Sequence, residues 1–462
     1  SMIAARVYNA QFGRVNTSLE RLSTGLRINN GKDDPAGLIA AEKLNSEITA
    51  IRAAKTNISR AENVVSVAES GLNEINRLLA DLEDLVDRSA NEAGITEAER
   101  AANQSQIDSI LSSINRIANS TEFIGRRLLD GGFDYQTSAI NNDNFANVEI
   151  FGARIPNDGY RSVVVEVTKA AELASLEYTG ATLASSVTIE VAGNLGTETL
   201  SFASGTAIAD IAQAIVQVKD LTGVSATTTT SGVAFSSTQY GSNQFVSVKA
   251  LSGTFAVTGG DAGSNKDFGA DAAVNINGIK AATSGLQARV QSAALSVKID
   301  MSADFGTTLG SDEFYITGGG ANFMITPTVS LNGQESLGIK SVSTSSLGTN
   351  TLGFLSSIGS GGDNALDTGN YSKAQRILRE SQTQVSELRG RVGAFQKNVL
   401  ETIRNALDIT LENSTAALSS IRDTDFAAET SELTRAQILA QSATSALRLA
   451  NAQPQSVLAL LG

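Results

Sequence analysis

Carboxylates are the only abundant side chains in this sequence that lend themselves to catalysis or metal binding. There is no His and no Cys among the 462 residues. The usual zinc sites, the Ser-His-Asp triad and Cys-His nucleophiles are therefore all missing. Four acids cluster at Asp81, Glu83, Asp84 and Asp87. Calcium sites want ligands converging from a loop, and this spacing reads as one solvated face of a helix. The neighbours Asp33 and Asp34 form a carboxylate pair in sequence, but adjacent side chains point apart. Asp34 followed by Pro35 reads as a helix N-cap and first helical position. Gly318-Gly319-Gly320 lacks the Lys and the following helix of a phosphate loop. Asn16, Asn57 and Asn413 begin glycosylation-type triplets that fall on helix faces. The expectation is no catalytic residue, no cofactor and no metal.

What the sequence does specify is helix pairing. Leu44, Ile51, Ile58, Val65, Leu72, Leu79 and Val86 recur every seven residues, interleaved with Ala54, Ala61, Ala68, Ile75 and Leu82. Far along the chain Leu378, Val385, Val392, Val399 and Ala406 repeat in the same way, interleaved with Leu388, Phe395, Thr402 and Ile409. A strict seven-residue repeat draws a narrow apolar seam that needs a partner helix. Two seams so far apart can meet only if the chain folds back on itself. The expected intramolecular seam is Ile51, Ile58, Val65 and Leu72 against Val385, Val392 and Val399.

Glycine marks where helix gives way. Residues 161–369 hold 27 of the 41 Gly, against three in 370–462, so the middle is built differently from the flanks. A first helix is expected over 1–28, stopped by Asn29-Asn30-Gly31. A long helix follows over about 36–90, and another after Gly94 with Ile107, Ile110, Ile114 and Ile117 as its seam. Val163–Val167, Val187–Val191 and Val246–Val248 are β-branched and read as strands. One helix is expected over about 207–221, and Thr227 to Thr230 reads as strand edge or loop. Helix resumes near Ser372, with a break around Asp423–Asp425. The fold class is α+β: a long helical coiled-coil core from paired N- and C-terminal segments, with a mainly β central insertion.

The net charge of −13 and a pI near 4.7 argue against nucleic acid as a partner. No apolar run is long enough to insert in a membrane. No signal peptide is visible, and the absent initial Met suggests trimming. After Arg448 no charged residue occurs. Such a segment is best buried against other copies. Expected subunit-interface residues are Val15, Leu19, Leu22, Leu26, Leu447, Leu449, Val457, Leu458, Leu460 and Leu461.

Several stretches carry a resemblance. Leu19–Asn29 with Lys32–Leu38, Leu72–Asn76 and Thr121–Gly131 resemble bacterial flagellins. So do Ile421–Glu429, Ala436–Leu439 and Pro454–Leu461. The stretch of about 181–265 is similar to an insert of flagellins and hook-associated proteins. The resemblance implies an extracellular filament subunit for swimming motility, exported unfolded and polymerised beneath a cap. It implies residues 1–35 as an inner-core helix, 36–160 as outer-core helices with a β segment, and 161–369 as a variable outer region. Residues 370–421 would return as outer core and 422–462 as inner core. Implied partners are copies of itself, with or without other flagellins, the filament cap, hook-associated proteins and an export chaperone. A hook–filament junction protein and a filament-displayed adhesin are the alternatives. A displayed metallopeptidase or thiol hydrolase is untenable without His and Cys. Flagellins sensed by the innate-immune Toll-like receptor carry Arg and, one turn on, Leu on the outer-core helix, with Glu on its neighbour. Here the equivalent positions are Asp81, Leu85 and Gln106, and the reversed charge is expected to weaken recognition.

Overall fold

In the computed structural model the backbone is described for residues 2–91, 93–156, 159–292, 294–350 and 352–461, and side chains for the same residues except 262, 451 and 453–461. Among the described residues the α-helices of ten or more residues are α1 (Met2–Thr24), α2 (Pro35–Ser89), α3 (Glu97–Ser120), α4 (Ile208–Gln217), α5 (Tyr371–Ala394), α6 (Glu401–Arg422) and α7 (Phe426–Leu461). Short antiparallel strands fill much of the sequence between α3 and α5. The contacts divide the chain into two units, one of Ser1–Asn63, Phe323–Gly333 and Ala394–Gly462, the other of Val64–Asn322 and Gln334–Gly393.

Local chemistry sets the helix ends. The first helix stops at Thr24, short of the turn at Asn29, because Gly25 takes a left-handed φ of 72° and closes it. The Asp34 carboxylate accepts a 2.9 Å hydrogen bond from the Gly37 amide, and Pro35 opens α2 without wasting a donor. Asp33 instead accepts from the Asn30 and Asn29 amides, which lowers its pKa. Thr96 and Glu99 form a reciprocal capping box on α3. The buried face of α3 is Ile107, Leu111, Ile114 and Ala118, and Ile110 and Ile117 sit half-buried beside it. The helix expected over 207–221 breaks at Val218, continuing as a single turn over Lys219–Thr222.

In the first unit α1 packs along α7, and the first part of α2 runs antiparallel to α6. Arg404 Nη1 holds both oxygens of Glu62, at 2.9 and 3.1 Å, and Lys55 pairs with Asp408. In the second unit the later part of α2 pairs with α5, where Glu83 accepts from Arg379 at 3.1 Å and from Gln382 at 2.9 Å.

The β region of that unit has two cores. One lies between a five-stranded sheet, in which Arg161–Lys169 is flanked by Ala273–Ile276 and Gly310–Gly319, and a four-stranded sheet containing Phe145–Ala153. Phe145 meets Phe305 and Phe314 edge-on there, at 5.5 and 5.8 Å between centroids. The other core gathers Ala174 to Phe255 from two further four-stranded sheets and α4. Its two chain connections run side by side: Glu172 and Ala270 exchange backbone hydrogen bonds of 2.9 and 3.0 Å. Val187–Gly193 buries every second residue, as its alternating sequence requires. Val224–Thr228 is a strand, paired with Gly232–Ser237.

Candidate subunit interface

Two seven-residue repeats position the surfaces that this protein buries and those it exposes. On α2 the first residue of the repeat, Leu44, is half-buried, and from Ile51 onward the repeat holds: Ile51, Ala54, Ile58 and Ala61 in the first unit are each at most 2 % exposed. Val65, Ala68, Leu72, Ile75, Leu79 and Leu82 in the second unit are at 0 %. On α5 Leu378, Val385 and Val392 keep the same phase at 0 %.

Beyond Ala394 the phase changes, and one expected seam residue moves. Val399 is half-exposed, and Thr402, Ala406 and Ile409 face outward. Leu400 is buried at 0 %, followed by Leu407 and Ser414 at 8 % each. The cause is local. Phe395–Leu400 is a π-helical turn joining α5 to α6. A π turn accommodates one extra residue within a helix, so every later position shifts by one. A helix of uniform pitch would have kept Val399 inward. Phe395 stays buried at 8 %, its ring 5.8 Å from that of Phe323.

The remaining candidates lie on α1 and α7. The buried residues of these two helices, among those described, are small: Ser18, Ala436 and Ala443. Two ties hold the pair where α1 ends and α7 begins. Arg27 N donates to the Arg422 carbonyl at 2.7 Å, and Thr424 N to the Gly25 carbonyl at 2.9 Å. The Arg27 side chain adds a 2.6 Å bond to the Ile421 carbonyl. Small buried residues leave the larger apolar side chains on the outside. Leu19 is 47 % exposed and Leu449 70 %. Val15, Leu22, Leu26 and Leu447 are half-buried. The side chains of Val457, Leu458, Leu460 and Leu461 lie outside the described residues. Met2, Phe12, Phe426 and Ile438 are also exposed apolar residues here, and they were not among the expected interface residues. Their signal was present, since each is a large apolar residue on a helix whose buried residues are Ser or Ala.

Of the three residues expected at receptor-patch positions, Asp81 and Gln106 are exposed and Leu85 is buried. Asp81 is paired with Arg77 on its own helix at 3.3 Å. The other acids near it are similarly engaged: Asp84 with Arg88, Glu83 with Arg379, and Asp87 with Gln375. Among the described residues no three carboxylates converge as a metal site, and no helix is long and apolar enough to cross a membrane.

The flanking helices pair with each other and leave large apolar side chains outward. Comparison with known proteins identifies the class of the chain. Residues 1–134 match the bacterial flagellin N-terminal helical region, and residues 376–461 match the bacterial flagellin C-terminal helical region. Full-length relatives agree. A B-type flagellin of Pseudomonas aeruginosa is 28% identical, covering 100% of this chain and 98% of that protein. A flagellin of Clostridium tyrobutyricum is 28% identical over 98% of this chain and 97% of its own length. Flagellin D of Vibrio anguillarum is 27% identical over 100% and 97%. The chain belongs to the bacterial flagellins. It is a structural subunit of the extracellular flagellar filament, the helical polymer of swimming motility.

Proposed function

We propose that this flagellin assembles with copies of itself through the outward apolar faces of α1 and α7, and that it catalyses no reaction. The supporting observation is the set of large apolar side chains left in solvent on helices whose buried residues are Ser and Ala. Ile3 is 72 % exposed, Phe12 49 %, Leu19 47 %, Ile438 59 % and Leu449 70 %. Fully burying one such side chain contributes about 1.5–3 kcal/mol, so a few per copy suffice to drive association. Successive copies add through non-identical surfaces, which yields an open helix rather than a closed ring.

In this reading residues 1–35 and 422–462 form the filament's inner core, 36–160 and 370–421 its outer core, and 161–369 its solvent face. Val15, Leu22, Leu26 and Leu447 close the edges of the inner contact, and Val457, Leu458, Leu460 and Leu461 extend it. Other flagellins, a cap, hook-associated proteins and an export chaperone are the further partners. Deleting residues 449–462 tests the proposal. The truncated chain should keep its helix content by circular dichroism and should not elongate filament seeds. Normal elongation would refute the assignment of this face.

A further inference from the structure

A cavity of about 480 Å³ opens between α5, the strand Phe145–Ala153, residues 340–350 and Phe354. That volume is within the ordinary range for small-ligand pockets, about 300–1,000 Å³. Arg391 stands in its wall. The Arg391 guanidinium lies 4.0 Å from the centre of the Phe151 ring, and Arg289 lies 5.4 Å from the same ring. Among the described residues neither arginine has a carboxylate partner or a hydrogen-bond acceptor, and Arg391 Nε is shut away from solvent. Burial lowers the pKa of Arg391, the direction expected of a desolvated cation. Two like charges beside one ring repel, and Glu149, Glu387 and Asp134 act on Arg391 only from a distance, so its buried N–H is left without an acceptor, at a cost.

The nearby acids make no direct bond to it: Asp134 accepts a 2.8 Å hydrogen bond from the Tyr135 amide. Glu149 is held by Lys340 at 3.0 Å and Lys298 at 3.6 Å. Asp300 accepts hydrogen bonds from Gln287 at 2.7 Å and Asn147 at 3.3 Å. Glu387, one turn before Arg391, is exposed and is the internal rival. The stack on Phe151 fixes the plane of the guanidinium, and its N–H edge is a fork matched to two coplanar oxygens.

We infer that this cavity binds a carboxylate, received by the guanidinium of Arg391 with Arg289 adding charge beside it. The carboxylate belongs either to a small organic acid or to an Asp or Glu of a second copy. Each chain carries 48 acidic residues, so a second copy can offer the same carboxylate group as a free acid.

Thermal melts of the full-length monomer in succinate, against sodium chloride of equal ionic strength, test this. Succinate should raise the wild-type melting temperature by about 1–3 °C. Arg391→Gln should abolish the shift. Arg289→Gln, at an exposed position, should reduce it and serves if the first variant folds poorly. Glu387→Gln should enlarge it by removing the rival. If the monomer does not respond but Arg391→Gln filaments dissociate at a lower temperature than wild type, the carboxylate comes from a second copy. Melting that is independent of Arg391 in both monomer and filament overturns the inference.

Discussion

Arg21 Nη1 lies 3.4 Å from Glu429 Oε2, an ion pair between residues 408 positions apart in sequence. It joins α1 to α7 beside the backbone ties at Arg27 and Thr424. Glu429 is mostly buried and Arg21 partly exposed, so the pair is worth about 0.5–1 kcal/mol. A double-mutant cycle of Arg21→Ala and Glu429→Ala in monomer melts should show that coupling and its weakening by salt. Strictly additive single effects at low salt would show that the pair is incidental.

The π turn makes neighbouring residues unequal. Leu400→Ala should cost about 2–5 kcal/mol in the monomer, as for any large side chain removed from a core. Val399→Ala should cost less than about 1 kcal/mol, because Val399 is half-exposed. Chemical denaturation of both variants decides it. The reverse ranking would mean that an unbroken heptad persists past Ala394.

Much of this architecture is legible in the residues. The α2 repeat predicts its buried line because nothing interrupts the pitch, and Asp34-Pro35 predicts its own cap. The α5–α6 repeat misleads after Phe395, since Val399 and Leu400 are both large and apolar and only the π turn chooses between them. The outward residues of α1 are harder still. Val15 and Leu19 share a helical stripe in sequence, yet it is Ser18, between them, that is buried. Periodicity finds an apolar stripe, and side-chain size decides which edge of it a neighbouring helix can approach.

Val65 and Val392 are each fully buried in the second unit. An Asp at either position would be an unpaired buried carboxylate, costing several kcal/mol or forced to take up a proton. The cooperative melt of the monomer should collapse, not only its polymerisation. A melt unchanged from wild type would place these side chains in solvent.

Acid should weaken the second unit. Glu83 has its pKa lowered by the Gln382 amide and by Arg379, against a smaller push upward from burial. Burial raises Glu149, but Lys340 and Lys298 together bring it below its ordinary 4.5. A carboxylate depressed by folding stabilises fully above its unfolded pKa, and the contribution fades as pH falls through the folded value. Melting temperature should therefore hold near neutrality and drop below about pH 4.5. Asp134, raised by burial, acts in the opposite sense. Glu149→Gln should flatten the acid limb, and an unaltered limb would clear this residue of any part in it.

Recognition by the receptor that senses flagellins should be poor. Asp81 and Gln106, which the flagellin resemblance sets against an Arg and a Glu of sensed relatives, are exposed, and Leu85 is buried in the monomer. Reporter cells dosed with purified monomer should respond weakly, and Asp81→Arg with Gln106→Glu should raise the response. Strong activation by the unmodified monomer would count against both the charge argument and the residue equivalence.

Glu172 and Ala270 have a further consequence for how this surface can diversify. The chain leaves and re-enters at one β-bridge, so roughly a hundred residues hang from a connection whose ends are already closed. Exchanging that lobe for a shorter or longer one changes loop-closure entropy only logarithmically and leaves every heptad in phase. Its sequence is thus released from the constraints of polymer geometry. If this lobe faces outward in the filament as proposed, the surface met by antibodies, phages or other cells can drift at a pace the helices cannot share.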